Sequence, residues 1–167
     1  MKKIMIIGSG GSGKSTFSRG LGKRLQIPVY HLDALNWKEN WVLASREEQI
    51  ALQKKLVKRD SWIIDGNYGG TMDVRLENAD TIMFIDLPRI QCLYRVIKRR
   101  VQYHNKTRPD MGEGCEERLD FSFLKWVWMY PKKQRPAIFK KMQDISSEKE
   151  VIIFKSSSQI GKFLKVL

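Results

Sequence analysis

A glycine-rich segment near the start of the chain carries the residue types that bind phosphate. Residues 8–15 read Gly-Ser-Gly-Gly-Ser-Gly-Lys-Ser, which satisfies the pattern G-x-x-x-x-G-K-[ST]. An apolar run precedes the segment and a helical pattern follows it, so its glycines can turn successive N–H groups towards an anion at a helix N-terminus. The predicted nucleotide-binding residues are Gly8, Ser9, Gly10, Gly11, Ser12, Gly13, Lys14, Ser15 and Thr16.

Two side chains of this segment can take part in chemistry. Lys14 can reach the β- and γ-phosphates of a nucleoside triphosphate, and the Ser15 hydroxyl can ligate Mg²⁺. We therefore expect ATP or GTP, together with Mg²⁺, to bind here. The motif alone does not separate a kinase from an ATPase, a GTPase or a nucleotide-gated switch.

Three aspartates follow apolar runs and are candidates for the carboxylate that such a site places near its metal. They are Asp33 in "YHLD", Asp65 in "SWIIDGNY" and Asp86 in "TIMFIDLP". In open parallel sheets, ligands bind beyond the carboxyl ends of the strands, so all three lie on the correct edge. The strand order decides which is closest, and each could instead be a turn residue.

The segment "RIQCLYRVIKRRVQYHNKTR" combines an apolar stripe with a basic face. Arg95, Lys98 and Arg99 lie at i, i+3 and i+4, where like charges repel in a bare helix and an anion would relieve the repulsion. Residues 87–142 hold 14 Lys and Arg against 5 Asp and Glu, or +9 of the net +13. The predicted apolar stripe consists of Ile90, Leu93, Tyr94, Ile97 and Val101.

Short apolar runs alternate with helical patterns along the chain, which predicts a parallel sheet covered by helices on both faces. The predicted strands lie near residues 4–7, 29–32, 61–65, 81–86 and 151–154, and Ser45 to Glu48 forms a capping box. Further helices are expected over 14–25, 89–103, 116–130, 132–143 and 157–165. The prediction is one α/β domain over 1–167, with an acceptor-side insertion at about 34–58 and a short helical lid at about 101–118.

Composition limits the function classes. The chain has 167 residues and a net charge of +13, which favours polyanionic partners such as nucleotides or nucleic acid. Cys92 and Cys115 form no CxxC pair, and no run resembles a signal peptide or a membrane span. We expect a cytoplasmic protein with reduced cysteines and no membrane partner. The sequence does not predict the oligomeric state.

These motifs together resemble those of adenylate-kinase-like P-loop kinases, and most closely the bacterial DNA topology modulation proteins. The resemblance rests on the phosphate-binding loop, "HLDALNW", "WIIDGNY", "IDLPR…R…RR" and "KTRPDMGEG…ERLDF…W", which span nearly the whole chain. It implies a three-layer fold whose five-stranded parallel sheet has the loop strand in the middle, next to the third strand. With this strand order, the resemblance implies that Asp65 is the preferred carboxylate near the Mg²⁺. Arg95, Arg99, Arg108 and Arg118 match lid arginines that contact the phosphates, and residues 155–158 match the segment that holds adenine.

The chain departs from that family on the acceptor side. The Thr-Gly-Asp of the monophosphate site is replaced by "HLDALNWKENW", and the arginine of Asp-Gly-Phe-Pro-Arg is replaced by Tyr68. Asp33 instead resembles the aspartate of shikimate- and gluconate-kinase-like enzymes, which faces the acceptor hydroxyl and could deprotonate it. The predicted acceptor-side residues are Asp33, Trp37, Asn67, Tyr68 and Arg75, with Trp41 adding to an aromatic wall.

The prediction is an ATP- and Mg²⁺-dependent phosphotransferase that acts on a small acceptor. Its catalytic candidates are Lys14, Asp33, Arg95, Arg99, Arg108 and Arg118, with Ser15 and Asp65 serving the metal. The alternative is a nucleotide-regulated nucleic-acid-binding protein that affects DNA topology, supported by the +9 segment and the aromatics of "FLKWVWMYPKKQRP". Nucleotides, nucleosides, sugars and hydroxy acids all stay open as acceptors.

Overall fold

A five-stranded parallel sheet forms the centre of the protein in a computed structural model that describes residues 1–104, 106–117 and 120–167. Its strands are β1 (Lys3–Gly8), β2 (Val29–His31), β5 (Trp62–Asp65), β6 (Thr81–Ile85) and β7 (Glu150–Phe154). Their order is β2-β5-β1-β6-β7, so β1 lies in the middle and pairs with β5 and β6. The predicted place of the loop strand, in the middle and next to the third predicted strand, is therefore confirmed.

Helices cover both faces of this sheet, as the alternating pattern predicts. They are α1 (Lys14–Leu25), α2 (Leu32–Asn36), α3 (Arg46–Val57), α4 (Met72–Asn78), α5 (Arg89–Gln102), α6 (Phe121–Lys133), α7 (Arg135–Ile145) and α8 (Ser157–Val166). Among the described residues, no helix is long and apolar enough to cross a membrane. The three-layer α/β fold is confirmed.

Alternation along β1 divides the core between the two faces of the sheet. Met5 and Ile7 belong to one buried cluster, whereas Ile4 and Ile6 belong to the other. Because neighbouring side chains on a strand point to opposite faces, a strand buried on both faces reads as a continuous apolar run. Because β1 is buried on both faces, its carboxyl end is held firmly at the middle of the sheet's edge.

The segment before α3 contains a small hairpin that the sequence analysis did not predict. Strands β3 (Trp37–Lys38) and β4 (Val42–Leu43) pair antiparallel around a 3₁₀ turn at Glu39–Trp41. The predicted capping box is present, because the Ser45 hydroxyl accepts from the Glu48 N–H and the Glu48 carboxylate accepts from the Ser45 N–H. Its strands have two residues each, which is too few to form the alternating apolar pattern that predicts a strand.

Helix α6 begins at Phe121 rather than near Glu116, which corrects the sequence prediction. The Asp120 side chain accepts from the Ser122 N–H and caps the helix, while Glu116 and Glu117 form bridges to Thr107 and His104. Helix α7 also begins later than predicted, at Arg135, with a proline in its first turn. The acidic residues before α6 are thereby left in the lid. The described lid residues beyond α5 form turns and isolated bridges rather than the expected short helix.

Helix α5 faces the opposite way from the predicted orientation. Cys92 and Val96 are buried against the sheet, whereas four members of the predicted apolar stripe are exposed. The exposed members are Ile90, Tyr94, Ile97 and Val101. The Cys92 carbonyl and a Val96 methyl lie against the Cα of Gly11, where larger residues would not fit. This close approach to the loop turns the arginines of the helix towards it.

Candidate active site

The phosphate-binding loop joins β1 to α1 and adopts backbone angles that require glycine. Gly11 and Gly13 have φ of 75° and 91°, in the left-handed region that other residues rarely adopt. A Cβ at Gly11 would also overlap the Cys92 carbonyl, and a Cβ at Gly10 would overlap the Phe123 ring. The loop is thereby held between α5 and α6, with Lys14 as the first residue of α1.

A cavity of about 840 Å³ opens beside this loop, and most of the predicted site residues line it. It is referred to below as the site cavity. The predicted residues on its wall are Gly10, Gly11, Gly13, Lys14, Ser15, Thr16, Asp33, Trp37, Asn67, Tyr68, Arg95, Arg99 and Arg108. Gly8, Ser9 and Ser12 are buried and are not part of the wall. Arg118 lies outside the described residues.

The cavity wall fits the polyphosphate of a nucleotide. Lys14, Arg95, Arg99 and Arg108 bring four cationic side chains to it, and the first turn of α1 contains no acidic residue. A helix N-terminus that follows glycines in the left-handed region presents backbone N–H groups to an anion. The four cationic side chains add positive charge on the same side of the cavity. The arrangement can neutralise a triphosphate and the charge that develops on it during transfer.

Arg95 and Arg99 project from α5 onto the loop and the lid. Arg95 donates from Nη1 to the Ser12 carbonyl at 3.3 Å and from Nη2 to the Ser157 hydroxyl at 2.9 Å. Arg99 donates from Nε to Glu117 Oε1 at 2.9 Å. Burial and the nearby Arg108 charge lower the pKa of Arg99, and Glu117 opposes that shift. Ser157 lies in the segment predicted to hold adenine.

Two acids of the lid hold its cations, and the sequence analysis assigned no role to either. Glu117 also pairs with Arg108, at 2.6 Å between Oε2 and Nε, and Asp110 Oδ2 lies 3.0 Å from Arg108 Nη1. Although burial raises the pKa of Asp110, Arg108, the Ser15 hydroxyl and Lys14 lower it more, so the net shift is downward. The sequence signal that could have identified them is the series of acids that follows the lid arginine in "RPDMGEGCEE".

The acceptor side of the cavity combines one carboxylate with aromatic rings. The Tyr68 hydroxyl donates to Asp33 Oδ1 at 2.9 Å, which fixes the carboxylate at the first turn of α2. Burial, with the Asp33 charge, raises the pKa of Tyr68, so the phenol stays a donor. The rings of Trp37 and Trp41 meet edge to face with centroids 5.6 Å apart. This wall suits a small compound that presents a hydroxyl to Asp33.

The lid is docked on the hairpin that carries these tryptophans. The Trp41 indole donates to the Glu116 carbonyl at 3.2 Å, and the Cys115 thiol lies 3.1 Å from the Lys38 carbonyl. A Cβ at Gly112 would overlap the Trp37 carbonyl, so the lid approaches the hairpin backbone closely. The two predicted insertions therefore meet over the site cavity.

Asn67 ties the end of β5 to the start of the phosphate-binding loop. Its amide donates to the Gly8 carbonyl at 2.8 Å and accepts from the Gly8 N–H at 3.3 Å. The Tyr130 hydroxyl lies 3.3 Å from the same amide oxygen. Asn67 lines the cavity, but these contacts make it a residue that positions the loop as well as a candidate for acceptor binding.

The three strand-end aspartates have different surroundings. Asp65 is fully buried, lies 2.6 Å from His31 Nδ1 and is not on the cavity wall. Asp86 pairs with Arg135 at 2.8 Å, and Asp33 alone of the three lines the cavity. Mg²⁺ at a nucleotide site keeps several waters and takes few protein ligands, so the Ser15 hydroxyl with a nearby carboxylate fits it. Among the described residues, no group of three or more His, Cys, Asp or Glu could hold a metal by itself.

Arg75 does not reach the cavity where the sequence analysis placed it. Its guanidinium is fully buried and donates to the carbonyls of Gly66, Asn67 and Tyr68 at 2.7, 2.8 and 3.3 Å. Burial lowers the pKa of Arg75 to about 10, and the Asp65 charge opposes that shift. Arg75 thus holds the backbone of the turn that presents Asn67 and Tyr68.

We expect the substitution Arg75→Met to destabilise the protein. Removing the guanidinium leaves buried carbonyls without donors, so the free energy of unfolding should fall by about 3 kcal/mol or more. Urea unfolding followed by circular dichroism measures the loss. Arg24→Met, at an exposed position of α1, is the matched control and should change stability by about 0.5 kcal/mol or less. Equal stability of the two variants would contradict this role.

The chain is similar to known kinases in sequence and in structure. No family model matches the chain. A shikimate kinase from Leptospira biflexa is 29% identical, over 68% of this chain and 74% of the relative. A shikimate kinase from Acinetobacter baumannii, solved in complex with shikimate, superposes with a TM-score of 0.60 at 14% identity, over 99% of this chain and 92% of that one. A gluconokinase from Sinorhizobium meliloti gives 0.55 at 15% identity, over 98% and 87%.

The fold is that of P-loop kinases. The sequence relative and the structural neighbours named above are kinases of small hydroxyl compounds, and they support a P-loop small-molecule kinase whose acceptor is unspecified. The prediction of a P-loop kinase is confirmed by this match together with the five-stranded parallel sheet. These comparisons do not by themselves support the narrower resemblance to the topology modulation proteins.

Proposed function

We propose that the protein transfers the γ-phosphoryl group of ATP, with Mg²⁺, to a hydroxyl group of a small acceptor. One observation carries the proposal: the phosphate-binding loop and Asp33 line the same cavity, with the cations of α5 and the lid around it. A nucleotide and a hydroxyl compound can therefore occupy adjoining parts of one site. Catalysis of this kind depends on positioning and electrostatic stabilisation.

Each group has a role in that reaction. The acceptor oxygen attacks the γ-phosphorus, the bond from that phosphorus to the bridging oxygen breaks, and ADP leaves with the electron pair. Asp33 orients the hydroxyl and takes its proton. Lys14, Arg95, Arg99 and Arg108 stabilise the phosphate charge, and Arg118 stays a candidate for the same role. Mg²⁺, when bound, would neutralise further charge on the phosphates, and the Ser15 hydroxyl on the cavity wall is its candidate ligand. Asp65, the other predicted metal residue, is buried against His31 and lies off that wall.

The proposal also includes a narrower family relationship, a cellular location and a class of acceptor. Kinship with the topology modulation proteins rests on the motifs of the sequence analysis, and a cytoplasmic location rests on composition. The names of the sequence relative and the structural neighbour, a shikimate kinase and a gluconokinase, favour hydroxy acids among the acceptors left open by the sequence, beside nucleosides, nucleotides and sugars. Arg95, Arg99 and Arg108 face the cavity rather than an outer surface, which favours the kinase over the nucleic-acid alternative.

Transfer of label from γ-labelled ATP to pooled acceptors tests the proposal. The pools contain hydroxy acids, sugars, nucleosides and nucleoside monophosphates, each with Mg²⁺. A labelled product that depends on the enzyme and on Mg²⁺ is the expected result, and division of the active pool identifies the acceptor. Slow release of free phosphate with every pool, and no labelled product, would contradict phosphotransfer to these classes.

A further inference from the structure

The acceptor side of the site cavity has aromatic rings and a carboxylate, and within the described chain it has no Lys or Arg. The segments after β2 and after β5 line the cavity with Asp33, Trp37, Trp41, Asn67 and Tyr68. These five residues are called the acceptor wall. Each described Lys or Arg on the rest of the cavity wall comes from α1, α5 or the lid. The acceptor therefore meets ring faces and a negative charge on this side.

The cations nearest to the acceptor wall in sequence point to other partners. They belong to the segment from β2 to the first residue of α3 and to the segment from β5 through α4. Lys38 Nζ lies 2.8 Å from Glu48 Oε1, and Arg46 Nη2 donates to the Gly70 carbonyl at 2.9 Å. Arg75 is fully buried and donates to backbone carbonyls. None of the three cations lines the cavity, so these segments supply no counter-ion for a carboxylate or phosphate.

The cations on the other side of the cavity are matched by lid acids and by the predicted phosphates. Arg99 and Arg108 both pair with Glu117, at 2.9 and 2.6 Å. Asp110 lies 3.0 Å from Arg108 Nη1 and 4.0 Å from Arg19 Nη1. A nucleoside triphosphate at the loop uses the positive charge that remains. The nucleotide side of the cavity therefore has little positive charge to offer a second anion.

An anionic group on the acceptor would be unfavourable against the acceptor wall. A buried anion that lacks a cation or several hydrogen-bond donors loses the solvation it had in water. The Tyr68 hydroxyl, the Asn67 amide and the Trp41 indole already donate to protein oxygens. The Asp33 carboxylate and the negative faces of the aromatic rings add repulsion.

The two tryptophans of the acceptor wall provide a flat apolar surface. Their rings meet edge to face with centroids 5.6 Å apart, and the Trp41 indole donates to the Glu116 carbonyl at 3.2 Å. Because the lid holds the hairpin, this surface exists before the acceptor binds, and little ordering entropy opposes binding. Such a surface packs on a nucleobase or on the apolar face of a sugar ring.

We propose that the acceptor is an uncharged ring compound, whose ring packs on Trp37 and Trp41 while one of its hydroxyls meets Asp33. This inference rests on the proposed phosphotransfer and narrows its acceptor. Nucleosides and sugars share the required chemistry, whereas hydroxy acids and nucleoside monophosphates carry an anionic group that the acceptor wall does not neutralise. The net charge of +13 and the basic remainder of the cavity wall disfavour a cationic acceptor.

Matched pairs of acceptors test the charge preference. The members of each pair share a ring and differ in one anionic group: methyl shikimate and shikimate, glucose and glucuronate, adenosine and AMP. Calorimetric titration of the full chain, with saturating ADP and Mg²⁺, should give a Kd about tenfold lower or more for the uncharged member of the pair that binds. Label transfer from γ-labelled ATP should follow the same order. The glucose and adenosine arms distinguish a sugar from a nucleoside.

The two measurements separate this inference from the proposed phosphotransfer. If the acid of a pair binds as tightly as its uncharged partner or more tightly, the inference is overturned, while label on that acid leaves the phosphotransfer intact. Binding of the uncharged member without label transfer supports the selectivity of the acceptor wall and contradicts phosphotransfer. Failure of every compound to bind overturns the inference as well.

Trp37→Leu tests the ring contact. This variant should raise the Kd of the uncharged acceptor about tenfold while the Kd of ADP, which reports the fold of the loop, stays unchanged. Trp128→Leu is the matched control, because Trp128 is a partly exposed tryptophan of α6 away from the cavity wall, and it should change neither constant. Unchanged acceptor affinity in a Trp37→Leu protein that still binds ADP would overturn the ring contact.

Discussion

The substitution Lys14→Ala should lower phosphotransfer from ATP by roughly a thousandfold or more while the protein remains folded. Lys14 is the first residue of α1 and lines the site cavity beside the glycines of the loop. Its ammonium is the loop's own cation for the β- and γ-phosphates, and the charge on those oxygens changes during transfer. Because the site acts through positioned charge, removal of this cation should lower turnover far more than it lowers stability.

A matched basic residue of the same helix provides the control for Lys14. Lys23 lies in the last turn of α1 and is exposed, so Lys23→Ala removes the same charge from the helix without altering the cavity. Single-turnover transfer to the acceptor found in the pooled assay measures the chemical step, and urea unfolding verifies the fold. A folded Lys14→Ala protein that retains a tenth or more of wild-type activity would contradict the proposed role.

Much of the fold could be predicted because its signals are local. The apolar run of β1, the glycine loop and the start of α1 are contiguous, so the strand, the turn and the helix can be predicted from neighbouring residues. The capping box of Ser45 and Glu48 likewise depends only on residues within four consecutive positions. The position of β1 in the middle of the sheet followed from family resemblance, since strand order is set by packing at long range.

The remaining features depend on contacts between distant residues. The orientation of α5 is decided by the approach of Cys92 and Val96 to Gly11. The apolar periodicity of the helix favoured the opposite face, which is exposed. Glu117 holds Arg99 across 18 positions of sequence, so its role appears only after the lid is placed. Arg75 was assigned to the acceptor because it is a cation near the site, but three backbone carbonyls of the adjacent turn take its hydrogen bonds.

The substitution Asp33→Asn should lower the turnover number by about a hundredfold to ten-thousandfold, with a small change in the KM for the acceptor. Asparagine keeps the shape of the side chain and can accept from the Tyr68 hydroxyl as Asp33 does. It cannot take the proton of the acceptor hydroxyl. A loss confined to the turnover number therefore indicates proton transfer or orientation in the transition state rather than ground-state binding.

Tyr68→Phe distinguishes the role of the Asp33 carboxylate from the role of the hydrogen bond that positions it. This variant keeps the Asp33 charge and removes only the donor at 2.9 Å, so turnover should fall far less than in Asp33→Asn. Steady-state rates over a range of acceptor concentrations, at saturating ATP and Mg²⁺, give both constants for each variant. If Asp33→Asn raised the KM and left the turnover number intact, Asp33 would bind the acceptor without acting on its hydroxyl. The same carboxylate would then set which acceptor enters, and the proton would leave by another route.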